Sequence, residues 1–157
     1  MKLPISRRAL RGGLRALLLS LLFAAGSAAA AGTMTVYKTA TCGCCSAWVE
    51  HVRNAGFEVD AVNVSRAELV DHKRRLKLPS ALGSCHTAVI DGYVIEGHVP
   101  AADIRRLLDE SPDVAGLAVP GMPLGSPGMD FDDRTEPYNV VAFDQAGGLS
   151  LFAHHGE

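Results

Sequence analysis

What the chain lacks narrows it first. It has no apolar run long enough to span a bilayer. The most hydrophobic stretch, Leu17 to Ala25, falls well short of the about 20 residues a spanning helix needs. It also lacks positive charge once its first residues are set aside. All five charges in residues 1–31 are basic (Lys2, Arg7, Arg8, Arg11 and Arg15), and the remainder carries ten Lys and Arg against seventeen Asp and Glu, a formal −7. A domain of that sign is a poor partner for nucleic acid or an anionic membrane surface, and neither is expected. Cysteine is scarce too, with four in 157 residues. That is no disulfide-dense miniature scaffold, and the 126 residues after position 31 suffice for one domain with a real core.

The basic start, the short apolar core and the small-residue run Ser27 to Ala31 together have the form of an export signal. Residues 1–31 are therefore expected to be a signal peptide, cleaved just before Gly32 or Thr33, leaving 32–157 as a single periplasmic domain free of the membrane. Ser6-Arg7-Arg8-Ala9-Leu10-Arg11 resembles a twin-arginine signal, which carries proteins across already folded and even loaded. An Arg-rich Sec signal fits equally well, and a retained anchor is the weaker alternative because the apolar core is short.

Thr33 to Lys38 is rich in β-branched and aromatic residues and reads as a strand. A helix follows from about Cys42 to Ala55, since Cys45, Trp48, Val49 and Val52 share one face. A second strand spans Glu58 to Val64. Ser65 to Glu68 matches a capping box opening a second helix with Leu69, Val70 and Leu76 on its stripe, ended before Pro79. Cys85 to Asp91 and Tyr93 to Val99 read as strands joined at Asp91-Gly92. Pro100 and Asp103 start a third helix with Ile104, Leu107 and Leu108 inward. The order βαβαββα, with C-x-x-C at the first strand-to-helix junction, predicts an α/β, thioredoxin-like domain. Residues 113–157 form an extension: a Pro/Gly-rich loop over Val119 to Met129, then a hairpin of Tyr138 to Phe143 and Leu149 to His154. A stretch as long as 113–137 is expected to be functional or mobile.

Chemistry gathers where the few cysteines cluster. Cys42 and Cys45 have the spacing of a dithiol that closes a disulfide or chelates a metal, and Cys44 adds a third thiol that simple dithiol exchange does not need. Thiolates are soft ligands and select Cu(I), Zn(II) or an iron–sulfur cluster over hard cations. A helix N-terminus lowers thiol pKa values and favours both metal binding and thiol–disulfide exchange. Cys85, at the start of its strand, is the expected fourth ligand. His86 would then point away, because successive strand residues alternate faces. It ranks behind the cysteines as a candidate, as does His98. His51 lies off the Cys45 face and reads as a surface or capping residue. Met122 and Met129 repeat the tripeptide Pro-Gly-Met seven residues apart. Their thioethers suit Cu(I), and the alternative is that both fill gaps in the core. His154 and His155 are remote accessory candidates.

These stretches resemble the CopG-type periplasmic copper-resistance proteins, a family long known only as a domain of unknown function and distinct from the DNA-binding family of similar name. The resemblance is carried by Cys42-Gly43-Cys44-Cys45 with Trp48 and His51, Ser84 to Ala88, Asp91 to Pro100, and Gly116 to Pro123. It implies a thioredoxin-like fold and copper held by Cys42, Cys44, Cys45 and Cys85 as a polynuclear Cu(I)–thiolate cluster. It further implies a role in copper resistance with copper-linked redox activity. Copper ions and other periplasmic copper-handling proteins are then the expected partners. Three other classes stay open. A metal-free thiol–disulfide oxidoreductase fits C-x-x-C, although Cys44 invites scrambling. A structural zinc site or two structural disulfides fits four cysteines, although three neighbours staple little chain. A thioredoxin-like ferredoxin suits an oxidising periplasm poorly.

Overall fold

Alternating burial makes Met34–Lys38 the first strand, β1, with Met34 and Val36 fully buried on one side. The structure, a computed structural model, describes residues 31–156, so the expected signal segment lies outside the described residues except for Ala31. Helix α1 (Gly43–Asn54) follows, with Cys42 as its N-cap: the Cys42 sulfur accepts the Cys45 backbone N–H at 3.4 Å. Its inward face is Cys45, Trp48, Val49 and Val52, as the periodicity predicts. Strand β2 (Val59–Asn63) then runs parallel to β1.

Helix α2 (Arg66–Arg75) opens on a complete capping box. Ser65 Oγ accepts the Glu68 N–H, and Glu68 accepts the Ser65 N–H. Such a box satisfies two donors that a helix start otherwise leaves unpaired. Leu69 is buried, but Val70 is 60% exposed, so the expected stripe is narrower than the sequence pattern implied. Leu76, where the helix has already ended, packs only partly.

A 3₁₀ turn at Ser80–Leu82 leads to β3 (Thr87–Ile90) and β4 (Tyr93–Glu96), an antiparallel pair around Asp91-Gly92. Both strands are shorter than expected. Cys85 lies in a bend ahead of β3, and β4 stops at Gly97, whose φ of +70° breaks the extended run. Helix α3 (Ala101–Glu110) then buries Ala101, Asp103, Ile104 and Leu107.

Beyond α3 the chain departs most from the sequence reading. Gly116–Ala118 is a strand, β5, lying parallel to β4 and fully buried. The hairpin β6 (Tyr138–Phe143) and β7 (Leu149–His155) pairs onto β5, so the extension belongs to the same sheet. The result is one seven-stranded mixed sheet in the order β2-β1-β3-β4-β5-β6-β7 with three α-helices among the described residues. Gly116 has a packing reason, since a Cβ there would collide with the Val94 backbone of β4.

The core lies on both faces. Met34, Val36, Ile95 and Leu117 of the sheet meet Trp48, Val49 and Val52 of α1 and Ile104 and Leu107 of α3. On the other face Val94, Ala118 and Phe143 pack with Leu82. Full burial of each large apolar side chain contributes roughly 1.5–3 kcal/mol, so the larger cluster anchors α1 rigidly under its cysteines. Among the described residues no helix is long and apolar enough to cross a membrane.

Candidate metal centre

The site sits where the β1–α1 junction meets the bend before β3. Cys42, as N-cap, and Cys45, one turn on and fully buried, are joined as a disulfide with their Cα atoms 5.3 Å apart. Cys44 and Cys85 are free thiols, both half-buried. Cys44 Sγ lies 3.5 Å from Cys42 Sγ and 3.7 Å from Cys85 Sγ, while Cys45 Sγ approaches the Cys85 carbonyl oxygen at 3.6 Å. All four sulfurs fall within 4.8 Å of one another. The fold therefore gathers all four cysteines singled out in the sequence.

A second group shares Cys85. Its sulfur is 3.4 Å from His86 Nδ1 and 3.2 Å from His98 Nε2, and these three side chains also lie within 4.8 Å. The expectation that His86 turns away from a Cys85 facing the cluster is thus wrong. Alternation holds only inside a strand, and β3 begins one residue later, at Thr87. His86 is fully buried, with its ring 4.4 Å from Trp48 and 5.1 Å from His98. Trp48 is in turn locked by its indole N–H, donated to the Val99 carbonyl at 2.9 Å.

His98 carries a tautomer instruction. Its Nδ1 is 2.8 Å from the Pro127 carbonyl oxygen, which can only accept, so Nδ1 holds the proton. Nε2 is then a lone pair aimed at Cys85. Such outer hydrogen bonds are how metal-binding imidazoles are commonly oriented. His86 Nε2, by contrast, is buried with no hydrogen-bond partner, a costly condition for a polar atom. Burial, followed by the neighbouring His98, holds the His86 pKa well below the usual imidazole range, and burial also lowers that of His98. Both rings are neutral near pH 7 and carry free lone pairs.

The lowered thiol pKa expected at the helix start does not extend to Cys85. Burial, and then the adjacent Cys44, push it up to about 12. It is not at a helix start, and nothing cationic contacts its sulfur. An ion arriving here must displace that proton, as thiolate-binding metals do. The donor set of four sulfurs and two imidazole nitrogens, with no carboxylate among them, fits a soft or borderline ion rather than a hard one.

The Pro/Gly-rich segment seats against this centre. Gly128, at φ +82°, lies so close to α1 that a Cβ would stand 2.7 Å from the Cys44 carbonyl oxygen and the Trp48 nitrogen. Ser84 Oγ donates to the Gly121 carbonyl at 2.5 Å beside Cys85. Met122 is 52% exposed, which excludes it as core filler, and Met129 is half-buried. His51 takes a capping role: its Nε2 accepts the N–H of Ala101, the first residue of α3. His154 and His155 are tied elsewhere, to Asn139 and Asp103. The Pro127 carbonyl and the Gly128 seat gave no signal beyond the repeated Pro-Gly-Met.

A family profile described as "protein of unknown function, DUF411" matches residues 82–129. Two solved structures are similar to this chain, both named copper resistance protein CopG. Form 2 is 47% identical, covering 79% of this chain and 98% of its own, with a TM-score of 0.73. Form 1 is 46% identical, covering 80% and 98%, also at 0.73. No curated protein matches.

Proposed function

This chain belongs to the CopG family of copper resistance proteins, and from that premise we propose that it is an exported, periplasmic protein that binds copper as Cu(I). The ligands are the thiolates of Cys42, Cys44, Cys45 and Cys85, with His98 and His86 supplying nitrogen. The observation that carries this reading is the convergence of four sulfurs and two neutral imidazoles around Cys85. Bridging thiolates let more than one Cu(I) share four sulfurs, so a polynuclear cluster is the expected state. Copper here is cargo, and other copper-handling proteins of the same compartment are its natural donors and acceptors. Met122 and Met129, on the segment seated over α1, offer thioethers for capture.

Loading needs all four thiolates. The Cys42–Cys45 disulfide must first take two electrons and two protons from an external dithiol, which leaves as its own disulfide, and each thiol then loses its proton as it binds copper. Copper occupancy is thereby linked to thiol redox state, which gives the site its copper-linked redox character. The disulfide itself favours a second reading, a metal-free thiol–disulfide oxidoreductase. Against that reading, Cys44 lies 3.5 Å from Cys42 Sγ, where it would divert an exchanging pair. A structural zinc ion would close on four sulfurs as a single tetrahedral centre.

Titration of the fully reduced protein separates these. Cu(I) should saturate above one equivalent and Zn(II) at one. Cys85→Ser should lower both Cu(I) stoichiometry and affinity, the latter by more than about tenfold, the lower end of what loss of an outer-shell partner alone costs. Saturation at a single Cu(I), or an unaltered Cys85→Ser variant, would refute the cluster.

A further inference from the structure

Glu96 is a carboxylate with no exposure at all, on the last residue of β4, and copper binding makes no use of it. Its partners come from α2, from β3 and from the bend between the 3₁₀ turn and β3. Oε1 accepts the Ser84 backbone N–H at 2.6 Å, Oε2 accepts the Thr87 hydroxyl at 2.6 Å, and the Lys73 ammonium of α2 pairs with Oε1. Lys73 also donates to Thr87 Oγ1 at 2.8 Å. A carboxylate is tolerated inside a protein only when its charge and lone pairs are met in this way.

The position of these bonds in the chain gives them their meaning. Ser84 and Thr87 bracket Cys85 and His86, the bend that lies outside any strand. The next residue after Glu96, Gly97, donates its N–H to the His86 carbonyl at 3.1 Å. The bend is therefore clamped at both ends by residues 96 and 97, and Cys85 has no ladder of its own to hold it. We propose that Glu96 is a positioning residue for the metal centre: its carboxylate holds the Ser84 N–H, and so keeps Cys85 within reach of Cys44 and His98. A side chain that served only to join α2 to β4 would have no need of the Ser84 bond.

The test reads thiol accessibility first, which is independent of copper. In the reduced, metal-free protein, Glu96→Gln keeps the volume but loses the charge and one acceptor oxygen. Limited iodoacetamide labelling with peptide-resolved mass spectrometry should show Cys85 alkylated about tenfold faster, with Cys45 unchanged, the signature of local rather than global opening. Thr87→Val removes a bond to the same carboxylate without touching Ser84 and should leave both rates alone. Unchanged Cys85 labelling in Glu96→Gln, equal acceleration at Cys45, or the same acceleration in Thr87→Val would overturn the proposal. Should Glu96→Gln fail to fold, Ser84→Pro deletes the donated N–H and Ser84→Ala keeps it while losing the hydroxyl bond to Gly121. Faster Cys85 labelling in Ser84→Pro but not in Ser84→Ala upholds the proposal, and equal rates in the two variants overturn it.

A second arm rests on the copper reading above. Glu96→Gln should weaken Cu(I) binding in the parent but not in a Cys85→Ser background, because coupled residues show non-additive effects. Faster Cys85 labelling with unchanged Cu(I) affinity would uphold the positioning role and instead remove Cys85 from the copper site.

Discussion

At Cys85 a half-buried thiol, two imidazoles and a second thiol meet on a segment with no regular structure. Elsewhere in the chain single residues do comparable joining work, and His51 is the clearest. Its Nε2 accepts the Ala101 N–H at 3.1 Å, so one imidazole of α1 caps α3, whose own N-cap, Pro100, offers no side-chain bond. Accepting that bond requires the neutral ring. Burial lowers the His51 pKa, partly offset by Asp130. The unfolded chain therefore takes up this proton first as pH falls. The stability it contributes is present above 6.5, the ordinary imidazole value, and is lost as pH drops through the lower folded value. His51→Gln offers an amide oxygen that does not titrate. At pH 7 it should match the parent within about 0.5 kcal/mol, and its urea midpoint should fall less between pH 7 and 5. Parallel profiles for the two proteins would deny His51 the role. Its placement off the Cys45 face was legible from helix periodicity; its partner fifty residues on was not, because a cap between two helices leaves no local pattern.

Among the elements, the segment from Pro120 to Met129 connects the sheet extension to the cysteine–histidine cluster. It is held by close contact rather than by a ladder: the Pro127 carbonyl orients His98, and Gly128 abuts α1. Gly128→Ala must both carry a side chain at φ +82° and push against backbone at 2.7 Å. Such strain costs on the order of 1–3 kcal/mol. The variant should lose that much stability in denaturant titration and become more readily cleaved by protease within 120–129. An unchanged midpoint with unchanged cleavage would mean the segment does not rely on this seat. The Gly/Pro bias showed that no helix or long strand could form here. It did not show β5, because three residues between irregular stretches carry too little alternation to stand out. The bend at Cys85 was missed for a related reason: an apolar run ending in Ile90 extends naturally backward in a pattern reading, and only Glu96 and Gly97 reveal where pairing begins.

For the whole molecule, the first seven elements were legible because each has its own signal: a capping box, a helical stripe, an Asp-Gly turn. The continuation of one sheet through β5 to β7 was not, since strand partners distant in sequence are chosen by shape and burial rather than by local composition. The consequence is functional. Past β5, Gly121, Pro127 and Gly128 touch Ser84, His98 and α1, so the chain beyond the βαβαββα unit adds contacts to the site. The proposed function requires copper to be held by sulfur from both the helix start and the bend. Copper K-edge X-ray absorption of the reduced, Cu(I)-loaded protein tests this most directly. The predicted result is a sulfur-dominated first shell with a nitrogen contribution and a copper–copper vector. A first shell of oxygen and nitrogen alone, without sulfur or copper neighbours, would contradict it.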